Sequence, residues 1–138
     1  MQLTNYHTYN EIKSQTQAWE QAIEVTGKAS LPDANHNAHV IFTGCGSTYY
    51  LSLAAAALYQ VLTGRAARAV PAGELLLNTQ TVVRDGIPHL LIAVSRSGTT
   101  TETIRAVEKF RQQKRGEVVV ISNYDEALSR LADVNIVI

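Results

Sequence analysis

The sequence is short of most features that would announce a function. It holds a single cysteine, Cys45, which excludes an intrachain disulfide and fits a reducing compartment. It has no charge excess, with 12 basic and 12 acidic residues, so no bulk electrostatic argument favours nucleic acid or an anionic membrane. Charged residues are only 17% of the chain, fewer than usual, which implies that part of the surface is covered by a partner. No apolar run approaches the ~20 residues needed to span a bilayer. Met1 to Asn10 is polar and lacks the apolar core of a secretory signal. The four histidines, His7, His36, His39 and His89, are scattered and form no metal-ligand spacing. There is no Gly-Lys-Ser/Thr, which excludes a P-loop. No cofactor and no metal are expected, and neither internal repeats nor low-complexity segments occur. At 138 residues the expectation is one soluble, cytoplasmic domain.

What is present is a periodic alternation of strand and helix signals. Thr8-Tyr9-Asn10-Glu11 has the form of a capping box. Ile12, Trp19, Ala22 and Ile23 then mark a one-faced helix from about Tyr9 to Thr26, broken near Gly27. Ser30 to Asn37 reads as a loop. Apolar strand runs follow at Val40–Phe42, Ala66–Pro71, Leu90–Val94, Val118–Ile121 and Val134–Ile138. Between them lie an Ala- and Leu-rich, buried helix from Ser47 to Leu62 ending at Gly64, and a short helix from Glu74 to Thr79. A turn at Asp85–Pro88, a helix from Thr101 to Lys114 and a short helix from Glu126 to Ala132 complete the series.

Strands without polar alternation are buried on both faces, the mark of a parallel sheet. The expected fold is therefore α/β: a five-stranded parallel sheet with helices on both faces, in which the turns after the first and third strands share one crevice if the strand order is 2-1-3-4-5. Residues 1–37 would form an N-terminal helical arm and residues 38–138 the lobe. A chain stopping on a buried-type strand also suggests one piece of a longer protein.

Two turns carry the chemistry. Gly44-Cys45-Gly46-Ser47-Thr48 and Ser95-Arg96-Ser97-Gly98-Thr99-Thr100 each follow an apolar strand and open a helix. Ligands of open parallel sheets bind beyond the carboxyl ends of strands where the order reverses. There, helix N-terminal amides and hydroxyls can satisfy a phosphate without any lysine.

Blander readings stand beside this one. Ser47, Thr99 and Thr100 are ordinary N-cap residues. The Gly-x-Gly could open a dinucleotide fingerprint, but Tyr49 stands where the third Gly belongs, and Ala69-Val70-Pro71 ends the second strand without an acid. Cys45 has no basic neighbour in sequence and reads as turn material rather than a nucleophile. Arg96 faces either the anion or solvent. Glu74 is a helix-start acid, with a ligand or subunit contact as the rival reading. His36 and His39 read as solvated and His89 as structural. Arg65, Arg68, Lys109, Arg111, Lys114 and Arg115 read as a solvated face.

Ser95-Arg96-Ser97-Gly98-Thr99-Thr100-Thr101-Glu102-Thr103 resembles the Ser-x-Ser-Gly-x-Thr-x-Asp/Glu-Thr signature of the SIS (sugar isomerase) domain family. Gly44–Tyr49 resembles that family's first loop. Glu11-Ile12-Lys13-Ser14-Gln15 and Ala18-Trp19 resemble the leading segment of its amino-sugar enzymes, with Thr16 in place of the usual Pro. The resemblance implies a flavodoxin-like lobe, the first of two tandem lobes in amino-sugar-phosphate synthases, isomerases and deaminases. It implies that Cys45, Gly46, Ser47 and Thr48 line the sugar end. Ser95, Arg96, Ser97, Gly98 and Thr100 would hold the phosphate. The synthases carry Gln where Arg96 stands, and deaminase-like members more often Arg, which points to the latter. The full protein would be an aldose–ketose isomerase or amino-sugar-phosphate deaminase paired with a second lobe or a second copy. The rival is a non-catalytic phosphosugar sensor. No catalytic residue is assigned, because the proton-transferring groups of such enzymes lie in the second lobe, its tail or a neighbouring subunit.

Overall fold

The computed structural model describes residues 6–32 and 39–138. The elements are α1 (His7–Lys28), β1 (His39–Gly44), α2 (Ser47–Thr63), β2 (Ala67–Pro71), α3 (Ala72–Leu77), α4 (Thr79–Val82), β3 (His89–Ser95), α5 (Thr101–Gln112), β4 (Gly116–Ser122), a 3-10 turn (Ser129–Leu131) and β5 (Val134–Val137). All strand pairs are parallel, and the order is β2-β1-β3-β4-β5. This is the expected three-layer α/β architecture with a preceding helix.

Alternate residues of each strand go to opposite faces, and each face has its own apolar layer. Ile41, Val70, Leu91, Ala93, Val118 and Val120 meet Leu75, Val82, Val107, Phe110 and Leu128, so α3, α4, α5 and the 3-10 segment cover one side. Val40, Phe42, Leu90, Val119 and Ile136 meet Ala56, Ala55 and Tyr59 of α2, with Ala29 at the end of α1.

Five expectations need correction. First, α1 starts at His7 with Tyr6 as N-cap and no side-chain cap, so Thr8 lies inside the first turn and the capping box does not form. Second, α1 runs through Gly27 to Lys28. A helical glycine costs about 1 kcal/mol, and the Lys28–Glu24 ion pair and the Thr26 hydroxyl bonded to the Ala22 carbonyl hold that last turn. Third, α2 is not a buried helix: only Ser52 and Ala56 are buried. Tyr50, Leu51, Leu53, Leu58, Val61 and Leu62 are exposed, Val61 by 80%. The helix is apolar all round, but only one stripe of it meets the sheet within this chain. Fourth, Glu126–Ala132 forms only the 3-10 turn Ser129–Leu131, because the Leu128 N–H is drawn to the Gly98 carbonyl (3.0 Å). The α3–α4 segment is also two short helices broken at Asn78 rather than one. His36 and the loop residues 33–37 lie outside the described residues.

Candidate functional site

The strand order reverses at β1. Its crossover through α2 runs to β2 on one flank, while β3 pairs on the other. Thr43 is paired with Ala93, so the Gly44–Thr48 and Ser95–Thr100 turns leave the sheet side by side at its carboxyl rim. That is the crevice where open parallel sheets take ligands.

The first turn is tight. A Cβ at Gly44 would sit 2.6 Å from the Thr48 hydroxyl oxygen, so the strand can pass under the helix only as glycine. Thr48 Oγ1 accepts the Cys45 N–H (3.0 Å) and donates to the Cys45 carbonyl (2.9 Å). Its hydroxyl therefore closes the turn. Cys45, Gly46 and Ser47 are exposed above it, and the Cys45 thiol is free. Gly46 is the N-cap of α2 and provides no side-chain cap; the Tyr49 N–H is bonded to the Gly46 carbonyl (3.1 Å), which leaves the Ser47 and Thr48 amides to other acceptors.

The second turn is a ring of hydroxyls. Ser95 is buried, and its Oγ accepts the Gly98 N–H (3.2 Å) and lies 3.4 Å from Thr100 Oγ1. Ser97 Oγ lies 3.5 Å from Thr100 Oγ1 and accepts both the Thr99 N–H (3.2 Å) and the Thr99 hydroxyl (3.1 Å). Gly98 sits at φ +67, and a Cβ there would come within 2.9 Å of Glu126 Cβ. Thr100 is the N-cap of α5 without a side-chain cap bond, so a second set of helix-start amides faces the same crevice rim. Arg96 is exposed, its guanidinium in no ion pair among the described residues, and its carbonyl accepts the Asn123 N–H (3.2 Å).

Sequence reasoning missed the segment after β4. Asn123 and Leu128 are bonded to the second turn, and Tyr124 and Glu126 press on Gly98. Only the strand end at Ser122, in register with Ser95, could have signalled it. Glu74, an exposed acid in the first turn of α3, follows the end of β2. His39 is exposed; His89 is buried, as a structural residue would be. No cluster of three or more metal-ligating side chains occurs among the described residues, and no helix there is long and apolar enough to cross a membrane.

The profile of the SIS domain matches residues 34–138. The chain is 29% identical over 119 residues to D-galactosamine-6-phosphate deaminase AgaS of Escherichia coli, an alignment covering 79% of this chain and 30% of that protein. It spans that same modest share of each curated relative it matches. Among solved structures, tagatose-6-phosphate ketose/aldose isomerase from Escherichia coli is similar with a TM-score of 0.76 at 25% identity, over 97% of this chain and 40% of that one. The C-terminal domain of glucosamine-fructose-6-phosphate aminotransferase from Francisella tularensis shares the fold, with a TM-score of 0.78 at 21% identity over 99% of this chain and 41% of that one.

Proposed function

The chain belongs to the SIS domain family, and from that premise we propose that it binds the phosphate ester of a sugar or amino sugar at the carboxyl rim of β1 and β3. One observation carries the reading: two uncapped helix starts, of α2 and α5, leave adjacent strands together with the Ser95, Ser97, Thr99 and Thr100 hydroxyls. Neutral donors to a phosphate dianion contribute about 1.5–3 kcal/mol each, so a few suffice without a lysine. Ser95, Ser97, Gly98 and Thr100 would grip the ester oxygens. Arg96 would reach them from the exposed side, and Cys45, Gly46 and Ser47 would line the sugar. Thr48 shapes its turn and would touch the sugar through its backbone amide.

In this reading residues 38–138 are the lobe and residues 1–37 its helical arm. The relatives are two to three times longer. The full-length protein would be a cytoplasmic isomerase or deaminase of sugar phosphates, in which this lobe supplies grip and orientation. A proton-transferring base elsewhere in the assembly would move the proton between adjacent sugar carbons. The uncharged α2, with Tyr50, Leu51, Leu58, Val61 and Leu62 exposed, would be covered by another SIS-type lobe, from the same protein or a second copy.

The test is a titration with glucosamine 6-phosphate and galactosamine 6-phosphate followed by amide NMR. Shifts should concentrate at Gly46, Ser47 and Ser95–Thr100. Silence there at millimolar ligand would refute the reading. Isomerase and deaminase assays on the full-length protein then decide the reaction, and binding without turnover would favour a sensor.

A further inference from the structure

The opposite, amino-terminal rim of the sheet carries a cavity of about 270 Å³ at the start of β1 and β2. Its walls include His39, Arg68, Thr81 and Arg84, over a floor of Ala67 and Val82. Among the described residues no carboxylate lines it. Arg68 is held in place by a hydrogen bond from Nη2 to the Thr81 carbonyl (3.2 Å), a neutral partner that leaves its charge uncompensated. Arg84 forms no ion pair among the described residues; the neighbouring Asp85 is engaged by Arg115. The His39 ring stands edge-on to His89, with centroids 5.6 Å apart. His89 is buried, its Nε2 accepts the Arg84 N–H (3.4 Å), and its Nδ1 has no hydrogen-bond partner. Burial, the largest cause, holds His89 below its ordinary pKa, and the nearby His39 and Arg68 add to it.

A solvated arginine face would point its cations apart or pair them with acids. The Arg111–Asp133 and Arg115–Asp85 pairs do so on the neighbouring surface. Here the exposed residues His39, Arg68 and Arg84 line one concavity together with the apolar Val40, Ala67 and Val82. Guanidinium forks match phosphate oxygens. The volume equals roughly nine waters at about 30 Å³ each, enough for a phosphate and a short carbon skeleton. We propose that this cavity is a second anion site, taking a small phosphate monoester or free phosphate through Arg68, Arg84 and His39. It draws on none of the hydroxyl-turn geometry and stands if the carboxyl rim proves silent.

The experiment is amide and imidazole NMR with inorganic phosphate in one arm and glucosamine 6-phosphate in another, at constant ionic strength set with chloride. Shifts are expected at Arg68, Val82 and Arg84 and in the His39 ring, in both arms if the phosphate alone is recognised. They should appear in the second arm only if the carbon skeleton is needed. Arg84→Ala should weaken this binding about tenfold, one good charge-assisted contact, while shifts at Gly98 persist. Arg84→Lys should recover part of the loss. Identical shifts with chloride alone, an unchanged isotherm in Arg84→Ala and Arg68→Ala, or loss of the amino-rim shifts in Ser97→Ala would each overturn the proposal.

Discussion

At the carboxyl rim, four hydroxyls and two helix starts gather around Gly98 with a single exposed cation, Arg96, among the acids Glu74, Glu102, Asp125 and Glu126. At the amino rim, His39, Arg68 and Arg84 line one cavity with no acid among its described lining residues. The net charge of the chain is zero, yet its two ends are unlike. One rim offers fixed dipoles and directional donors, which discriminate by geometry. The other offers full charges on exposed side chains, which attract anions in general and are screened by salt. The difference teaches that neutrality overall hides where an anion can sit. It also predicts that salt weakens phosphate binding much more at the amino rim.

Three substitutions break the carboxyl rim without touching the other. Gly98→Ala should have the largest effect, since it forces a side chain into φ +67 and against Glu126 Cβ at 2.9 Å. We expect about 2–3 kcal/mol of destabilisation by chemical denaturation and loss of sugar-phosphate shifts at Ser95–Thr100. Ser95→Ala follows. It strands the buried Gly98 N–H that Ser95 Oγ accepts, at about 1–3 kcal/mol, and should weaken binding at this rim while Arg84 shifts stay as in the parent. Thr48→Ala should be milder. It removes the hydroxyl that closes the Cys45 turn, with a cost near that of a lost N-cap, about 1 kcal/mol. If the Thr48 hydroxyl acts only on its own turn, affinity falls less than in Ser95→Ala; the reverse order would make it a direct ligand.

The carboxyl rim was legible in the sequence because its signals are local. Gly-x-Gly-Ser-Thr after Val40–Thr43 and Ser-x-Ser-Gly after Leu90–Val94 each place a turn at a strand end, and the strand order brings the two together. The rest required the fold. Arg68 read as part of a solvated face, and Arg84 drew no reading, because they stand 16 positions apart and line one cavity only once β2 and the α4 segment are placed together. The role of Thr48 was hidden because a hydroxyl aimed at a ligand and one aimed at its own backbone share one sequence. The exposure of α2 was hidden for a different reason: Ala and Leu at helical spacing look alike whether they face a sheet within the chain or another lobe. The expected capping box failed because α1 begins two residues earlier than Thr8 suggested, and periodicity fixes a helix's face better than its ends.

The smallest expected effect separates the rims by pH. His89 is buried and held below its ordinary value of 6.5, chiefly by burial. The folded state therefore binds the proton less readily than the unfolded chain does. The contribution of neutral His89 to stability is complete above the ordinary pKa. It declines as pH falls through 6.5 towards the lower folded value, because the unfolded state then gains protons first. Denaturation midpoints measured across this window should fall with pH in the parent. His89→Phe should flatten that slope. A slope that survives in His89→Phe would place the titrating group elsewhere and remove the buried imidazole from the account of the amino rim.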